Sequence, residues 1–302
     1  MLLIDYFETV YAPSRLRGKS RDTYRLYRLC VMQFSRTLDR PAKLADLTND
    51  NILRHLARRN SVSPATRNKE LAELSAMWRF AVQKKLHDGW PTIQSEDEPQ
   101  RTPEAWMPED IAAILATIKR QEGDIGDTPR RIWWEGLVRL ALDTGERIRA
   151  LRSAKWSWLD RTWMKFPAEA RKGGKRDRLY LLSGETLESL AKIRRSSSDA
   201  QNVFEWPYSE TYLWYMWADL IKSAVLNPGR KSGLHRLRKT VASVAYAGDM
   251  DAQDVMDHSD RRTTQRYIDP RFVRDVQASQ VVANWLRHPP KIDDGKKGEK
   301  RA

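Results

Sequence analysis

The chain has 302 residues, enough for two domains that each bury a core. Lys and Arg outnumber Asp and Glu by 54 to 40, and the net charge of +14 favours a polyanionic partner. The single Cys30 excludes an intrachain disulfide and a multi-cysteine zinc site, and no apolar run reaches the roughly 18 residues that span a membrane.

Residues 1–88 read as helical. Tyr24, Tyr27, Val31, Phe34 and Leu38 follow helical spacing, with Arg21, Arg25 and Arg28 on another face. A second helix opens near Thr48 and carries Ile52, Leu53 and Leu56. A third has Ser63 as N-cap and Pro64 in its first turn, with Leu71, Leu74, Trp78 and Ala81 on one stripe. This region holds 17 basic against 9 acidic residues, an excess that fits a phosphate-facing surface. Cys30 falls in an apolar helical run and reads as a buried, inert thiol. Residues 89–107 change character: Pro91, Pro99 and Pro103 punctuate a stretch with Glu96, Asp97, Glu98 and Glu104, so this is a linker.

Beyond the linker the pattern is mixed. Helices are expected at 108–119 and 130–143, then strands at 162–167 and 178–182 around a Lys-Gly-Gly-Lys turn. Helical patterns return at 184–196, 209–225, 235–247, 251–258 and 261–267. A last apolar piece holds Val276, Val281, Val282 and Trp285, and residues 289–302 read as a disordered tail. Gly18-Lys19-Ser20 hints at a phosphate loop, but Pro13 stands where the first glycine belongs, so no nucleotide site is expected.

Four pieces of the second domain carry chemistry. Arg147 sits in a Thr-Gly-Glu-Arg turn after an apolar run, and His235 and Arg238 form a His-Arg-Leu-Arg box. His258 lies nine residues before Tyr267, which ends Arg-Arg-Thr-Thr-Gln-Arg-Tyr. Singly, each has an ordinary role as cap, core or surface residue. Together they can break a phosphodiester without a metal or other cofactor: arginines neutralise the non-bridging oxygens, histidines move protons and tyrosine attacks.

In this order and spacing the chain resembles the tyrosine recombinase (phage integrase) family over nearly its whole length. Ala141-Leu-Asp-Thr-Gly-Glu-Arg-Ile-Arg-Ala-Leu151 is similar to the first arginine box and implies Arg147 as a catalytic arginine. Lys172-Gly-Gly-Lys175 and the strand to Leu182 resemble the β-hairpin that bears the catalytic lysine; Lys172 is the choice, with Lys175 the alternative if the register differs. Leu234-His-Arg-Leu-Arg-Lys-Thr240 implies His235 and Arg238, Met256-Asp-His-Ser259 implies His258, and Tyr267 is the implied nucleophile.

The resemblance implies a mainly α fold with a small β-sheet. A helical, SAM-like core-binding domain (1–88) precedes the linker (89–107), a mixed α/β catalytic domain (108–288) and the tail (289–302). It also implies cleavage through a 3′-phosphotyrosine, with Arg147 and Arg238 gripping the phosphate and Lys172 protonating the departing 5′-oxygen. His235 either accepts the Tyr267 proton or hydrogen-bonds the phosphate, depending on its protonation state. The implied partners are double-stranded DNA and three further copies of the chain, in the cytoplasm with the nucleoid. The Val276–Trp285 piece would pack into a neighbour or back onto its own domain, and a single class of core site is expected.

Two departures stand out. Ala150 replaces an acid that usually follows the first arginine by three; its loss lowers activity unless Glu146 or another acid covers it. Asp257 replaces a small glycine and puts a carboxylate beside His258, which favours the charged imidazole and raises its pKa. Two other functions share the residue set: a type IB topoisomerase-like relaxase, and a DNA-binding protein of the same fold with impaired catalysis.

Overall fold

A computed structural model describes residues 1–174, 176–197, 200–225 and 232–273, together with Arg287. Lys175, the segment with Val276, Val281, Val282 and Trp285, and the tail 289–302 lie outside the described residues. The chain divides into two units, Met1–Gln100 and Arg101–Ala302.

In the first unit, α1 (Leu3–Tyr6), a π-helical turn (Phe7–Tyr11) and α2 (Ala12–Arg15) lead into α3 (Arg21–Thr37), α4 (Asn49–Arg58) and α5 (Pro64–Gln83). Each long helix starts where a hydroxyl can take up an orphan amide: Ser20, Thr48 and Ser63 accept from Thr23, Asn51 and Thr66 at 3.2–3.3 Å. The core joins Leu3, Tyr6, Phe7, Val31, Phe34, Ile52, Leu74 and Trp78. Tyr24 and Leu53, expected on apolar stripes, instead stand 38% and 50% exposed. Cys30 is buried, and its thiol is pushed well up by desolvation and by Glu73 and Glu70.

A buried polar cluster ties three helices of this unit together. His55, fully buried on α4, meets Thr37 Oγ1 at 2.8 Å and Glu70 Oε2 at 3.0 Å. Arg59 Nη2 donates to Glu70 Oε1 at 2.9 Å. Burial alone would raise the Glu70 carboxyl, but His55 and Arg59 outweigh it and hold it below its ordinary value. The stretch after α5 folds back on the same unit: Arg67 Nε donates to Glu96 Oε1 at 2.7 Å and Asn68 Nδ2 to the Glu96 carbonyl at 2.8 Å. Arg67 is therefore already paired.

The second unit runs α6 (Pro108–Lys119), β1 (Asp124–Ile125), β2 (Thr128–Pro129), α7 (Arg130–Thr144) and α8 (Ile148–Arg152). It continues through β3 (Leu159–Asp160), β4 (Trp163–Phe166), β5 (Arg178–Leu181), α9 (Gly184–Ser196), α10 (Glu210–Ala224), α11 (His235–Ala247), α12 (Ala252–Val255) and α13 (Arg261–Gln265). The core gathers on α7, whose Trp133 and Trp134 are fully buried beside Phe204 and Trp217. Their indoles remain satisfied where it matters: Trp133 Nε1 donates to the Glu205 carbonyl at 2.9 Å and Trp217 Nε1 to that of Ser232 at 2.8 Å. β3, β4 and β5 form an antiparallel sheet in that order, with Met164 opposite Tyr180 and Phe166 opposite Arg178. Met164 and Phe166 point into the core while Trp163 and Lys165 alternate outward.

The elements from 108 onward fall close to the expected spans, with two shortened. The expected helix 251–258 keeps only Ala252–Val255, because Asp257 adopts a left-handed φ of 51°. The expected 261–267 helix ends at Gln265, so Tyr267 sits in the turn beyond it. The β1–β2 hairpin was not expected; its strands have two residues each, too few for a periodicity to show.

The polar cluster generates a prediction. Glu70→Ala leaves buried His55 and Arg59 without their shared acceptor, a loss of about 3 kcal/mol. Cys30 is the only thiol in the chain and reports opening of this unit. Its labelling rate by a thiol reagent under native conditions is expected to rise on the order of 10²-fold in the variant. An unchanged labelling rate would show that the cluster contributes nothing net.

Candidate active site

The site begins at the end of α7. Gly145 caps that helix with φ of 61°, in the left-handed region. A side chain there would also meet Val241 Cγ1 at 3.1 Å, so both backbone and space call for glycine. The turn delivers Glu146 inward, 3% exposed, and Arg147 as N-cap residue of α8. Among the described residues, the Arg147 guanidinium has no hydrogen-bond or ion-pair partner. It lines a cleft of about 230 Å³ with Arg171, Lys172, Gly173, Gly174, Asp257, His258, Ser259 and Thr263.

Arg238, the fourth residue of α11, closes the other side and is 3% exposed. Its Nη1 donates to the Gly145 carbonyl, and its Nη2 to the Met256 carbonyl at 2.6 Å and toward His258 Nε2 at 3.2 Å. Arginine only donates, so His258 Nε2 accepts and its proton sits on Nδ1, 3.0 Å from Thr264 Oγ1. The buried Nε of Arg238 has no protein acceptor among the described residues.

Tyr267 lies among these groups. Its ring centroid is 5.2 Å from that of His235, 4.8 Å from that of His258 and 5.8 Å from the Arg238 guanidinium carbon. The Tyr267 amide donates to the Thr264 carbonyl at 2.8 Å, and its carbonyl accepts from Ser243 Oγ at 3.3 Å. Asp269, two residues on and 1% exposed, fastens the following turn: its amide donates to Ser243 Oγ at 2.9 Å and its carboxylate accepts from the Ala105 amide at 2.7 Å. Burial would raise the Asp269 carboxyl, but Arg271 and the Ala105 and Arg271 amides hold it down.

The electrostatics are set by crowded cations. Desolvation first, then Arg238, Lys239, Arg147 and His258, pull the His235 imidazole from 6.5 down to about 4, although the ring still reaches solvent. His258 falls to about 4 through desolvation and then Arg238 and Arg147. The expected rise from Asp257 is thus overturned. Asp257 does push His258 upward, but least of the four influences, because its carboxylate is engaged by Arg171 and Arg176. Both imidazoles are neutral at neutral pH.

The six residues singled out in the sequence converge. Arg147, Lys172 and His258 line the cleft, and His235, Arg238 and His258 surround Tyr267. Lys172 is exposed in the turn between β4 and β5. Ala150 is 1% exposed within the core cluster, not on the cleft. The acid that does meet the cations is Glu146, whose carboxylate pairs with Arg171 and accepts from Tyr180 Oη at 2.8 Å. Arg171, Tyr180, Ser243, Thr264 and Asp269 were not foreseen. Nearness to Lys172 and Tyr267 was the only signal for Arg171 and Asp269, and Thr264 lies inside the Arg-Arg-Thr-Thr-Gln-Arg-Tyr run; nothing in the sequence marked Tyr180 or Ser243.

No curated protein matches the chain in sequence. A lambda integrase (residues 75–356) dimer bound to a COC′ core site superposes with a TM-score of 0.71 at 18% identity, covering 90% of this chain and 96% of that one. A lambda integrase tetramer bound to a Holliday junction gives 0.71 at 17% identity, covering 90% and 78%. The Tn1549 transposon integrase (residues 82–397) in complex with circular intermediate DNA gives 0.66 at 16% identity, covering 94% and 99%. These likenesses establish a shared fold. The model of the phage integrase family matches residues 106–274, more than half of the chain and the whole span from Trp106 through Tyr267. The chain belongs to the phage integrase family, the tyrosine recombinases.

Proposed function

We propose that this protein is a site-specific DNA recombinase of the integrase type, which cuts and rejoins DNA through a 3′-phosphotyrosine during integration or excision of a mobile element. The observation that carries the reading is the packing of Tyr267 against His235, His258 and Arg238, beside a cleft lined by Arg147 and Lys172. An anion entering that cleft meets the cationic side chains of Arg147, Arg171 and Lys172.

Arg147 and Arg238 bind the non-bridging oxygens; the guanidinium fork suits such oxygens and keeps its charge when buried. The Nε of Arg238, without an acceptor among the described residues, has a donor to spare. Held neutral, His235 is suited to accept the Tyr267 proton as the tyrosine oxygen attacks phosphorus. His258 supports Arg238 and the phosphate. Lys172 then gives its proton to the departing 5′-oxygen, and a later 5′-hydroxyl reverses the steps to reseal a strand. The basic excess of residues 1–88 and of residues 108–302 (36 basic against 27 acidic) supports duplex DNA as the partner of both units. Four copies acting on two duplexes, as recombination requires, complete the proposal.

A nicked suicide substrate tests it. Wild type is expected to leave a protein–DNA adduct that survives denaturing electrophoresis, whereas Tyr267→Phe binds the same DNA with equal affinity and leaves none. An adduct in the Phe variant would remove Tyr267 from the nucleophile's role.

The histidines set a second expectation. A group poised at about 4 rather than 6.5 is already deprotonated throughout the neutral range. The second-order rate of adduct formation, which reports the free enzyme, should therefore be flat between about pH 5.5 and pH 7.5. A fall on the acid side centred near 6.5 would mean that His235 titrates as an ordinary histidine and is not held neutral.

A further inference from the structure

The loop that carries Lys172 is held to the turn that carries His258 by charge. Arg171 Nη1 donates to Asp257 Oδ2 at 2.7 Å, and Arg176 Nε to Asp257 Oδ1 at 3.3 Å. One turn earlier, Arg176 Nη2 reaches Asp254 Oδ1 at 2.9 Å and Arg178 Nη2 the Asp254 carbonyl at 2.6 Å. Three arginines of the hairpin thus clasp two aspartates of the opposite turn.

Asp257 is the hub of this clasp. It holds a left-handed φ of 51°, a conformation glycine takes freely and aspartate takes less readily. Its Arg171 partner has a side chain 2% exposed and is pinned from behind by Glu146. Arg171 immediately precedes Lys172, which is itself exposed. The base of the lysine loop is therefore fixed while the ammonium stays free to reach a ligand.

We propose that Asp257 is a positioning residue whose ion pairs to Arg171 and Arg176 hold the Lys172 loop against the His258 turn, so that the ammonium meets the departing 5′-oxygen. This rests on the reading of Lys172 as proton donor. In that step a bond forms between the Tyr267 oxygen and phosphorus, and the phosphorus–O5′ bond breaks. One proton passes from Lys172 to O5′, and the Tyr267 proton goes to His235. A displaced ammonium slows only the breaking of the phosphorus–O5′ bond.

A substrate with sulfur in place of the bridging 5′-oxygen isolates that step. Its phosphorus–sulfur bond breaks to a thiolate that leaves without a proton, because a thiol is far more acidic than an alcohol. Single-turnover cleavage is measured on oxygen and sulfur substrates with wild type, Lys172→Ala, Asp257→Gly and Asp257→Asn. Glycine suits the backbone at 257, so that variant keeps the fold. Asp257→Gly is expected to slow the oxygen substrate about tenfold, a part of the 10²–10⁴ that a general acid contributes, and to cleave the sulfur substrate at the wild-type rate. Asp257→Asn, which keeps a hydrogen-bond acceptor, falls between. Lys172→Ala loses more on oxygen and is rescued by sulfur in the same way. If Lys172→Ala is rescued but Asp257→Gly matches wild type on oxygen, or is slowed equally on both substrates, the clasp is refuted alone. If sulfur fails to rescue Lys172→Ala, the proton-donor reading falls and the clasp with it.

Discussion

Arg238 enters from the first turn of α11 and spends its donors on two loops at once, the Gly145 carbonyl and the Met256 carbonyl. Those loops carry Arg147 and His258, so one guanidinium sets the spacing of both. It does this while buried, with carbonyl dipoles and an imidazole as its hydrogen-bond partners among the described residues. Burial and then Arg147 depress its proton affinity, yet a guanidinium stays charged under such pressure where an ammonium would yield. A lysine at 238 would have neither the second arm nor the retained charge. The frame of the site and its affinity for anions thus come from one side chain.

Concentrated positive charge would push such a site apart without internal relief. Glu146 supplies it from beneath, buried against Arg171 and Tyr180, while Asp257 meets Arg171 from the other side. The relief is partial by construction. The Arg147 guanidinium has no partner among the described residues, and the two imidazoles lose proton affinity in response. Residual repulsion of this kind is what a bound phosphodiester can relieve, so binding energy and catalytic geometry draw on the same imbalance.

Most helices of the second unit, though not the short α8, are legible in the sequence, and so are the boxes that hold the six candidate residues, because each is marked locally. Caps, amphipathic stripes and the Thr-Gly-Glu-Arg and His-Arg-Leu-Arg boxes act over a few residues. What escaped depends on partners far away along the chain. Asp269 could not be read as an anchor without knowing that Ala105 lies beside it, 164 residues earlier. Asp257 pushes His258 upward as its adjacency implies, but desolvation and then Arg238 and Arg147 outweigh it, and no local pattern connects those arginines to His258. The Ala150 departure changes meaning for the same reason: the methyl joins the core, and Glu146, one residue before Arg147, is the acid among the cations.

The Asp269 anchor has a mechanical side. Ala105 lies just after the start of the second unit, and its amide bonds the carboxylate two residues beyond Tyr267. Arg236 and Arg271 both donate to the Ala105 carbonyl, and the Arg236 guanidinium stacks 3.7 Å over the neighbouring Trp106 ring. The entry segment, α11 and the segment carrying the tyrosine therefore form one short load path. Tension applied to residues 101–104 reaches the nucleophile's segment through a carboxylate and two guanidinium groups.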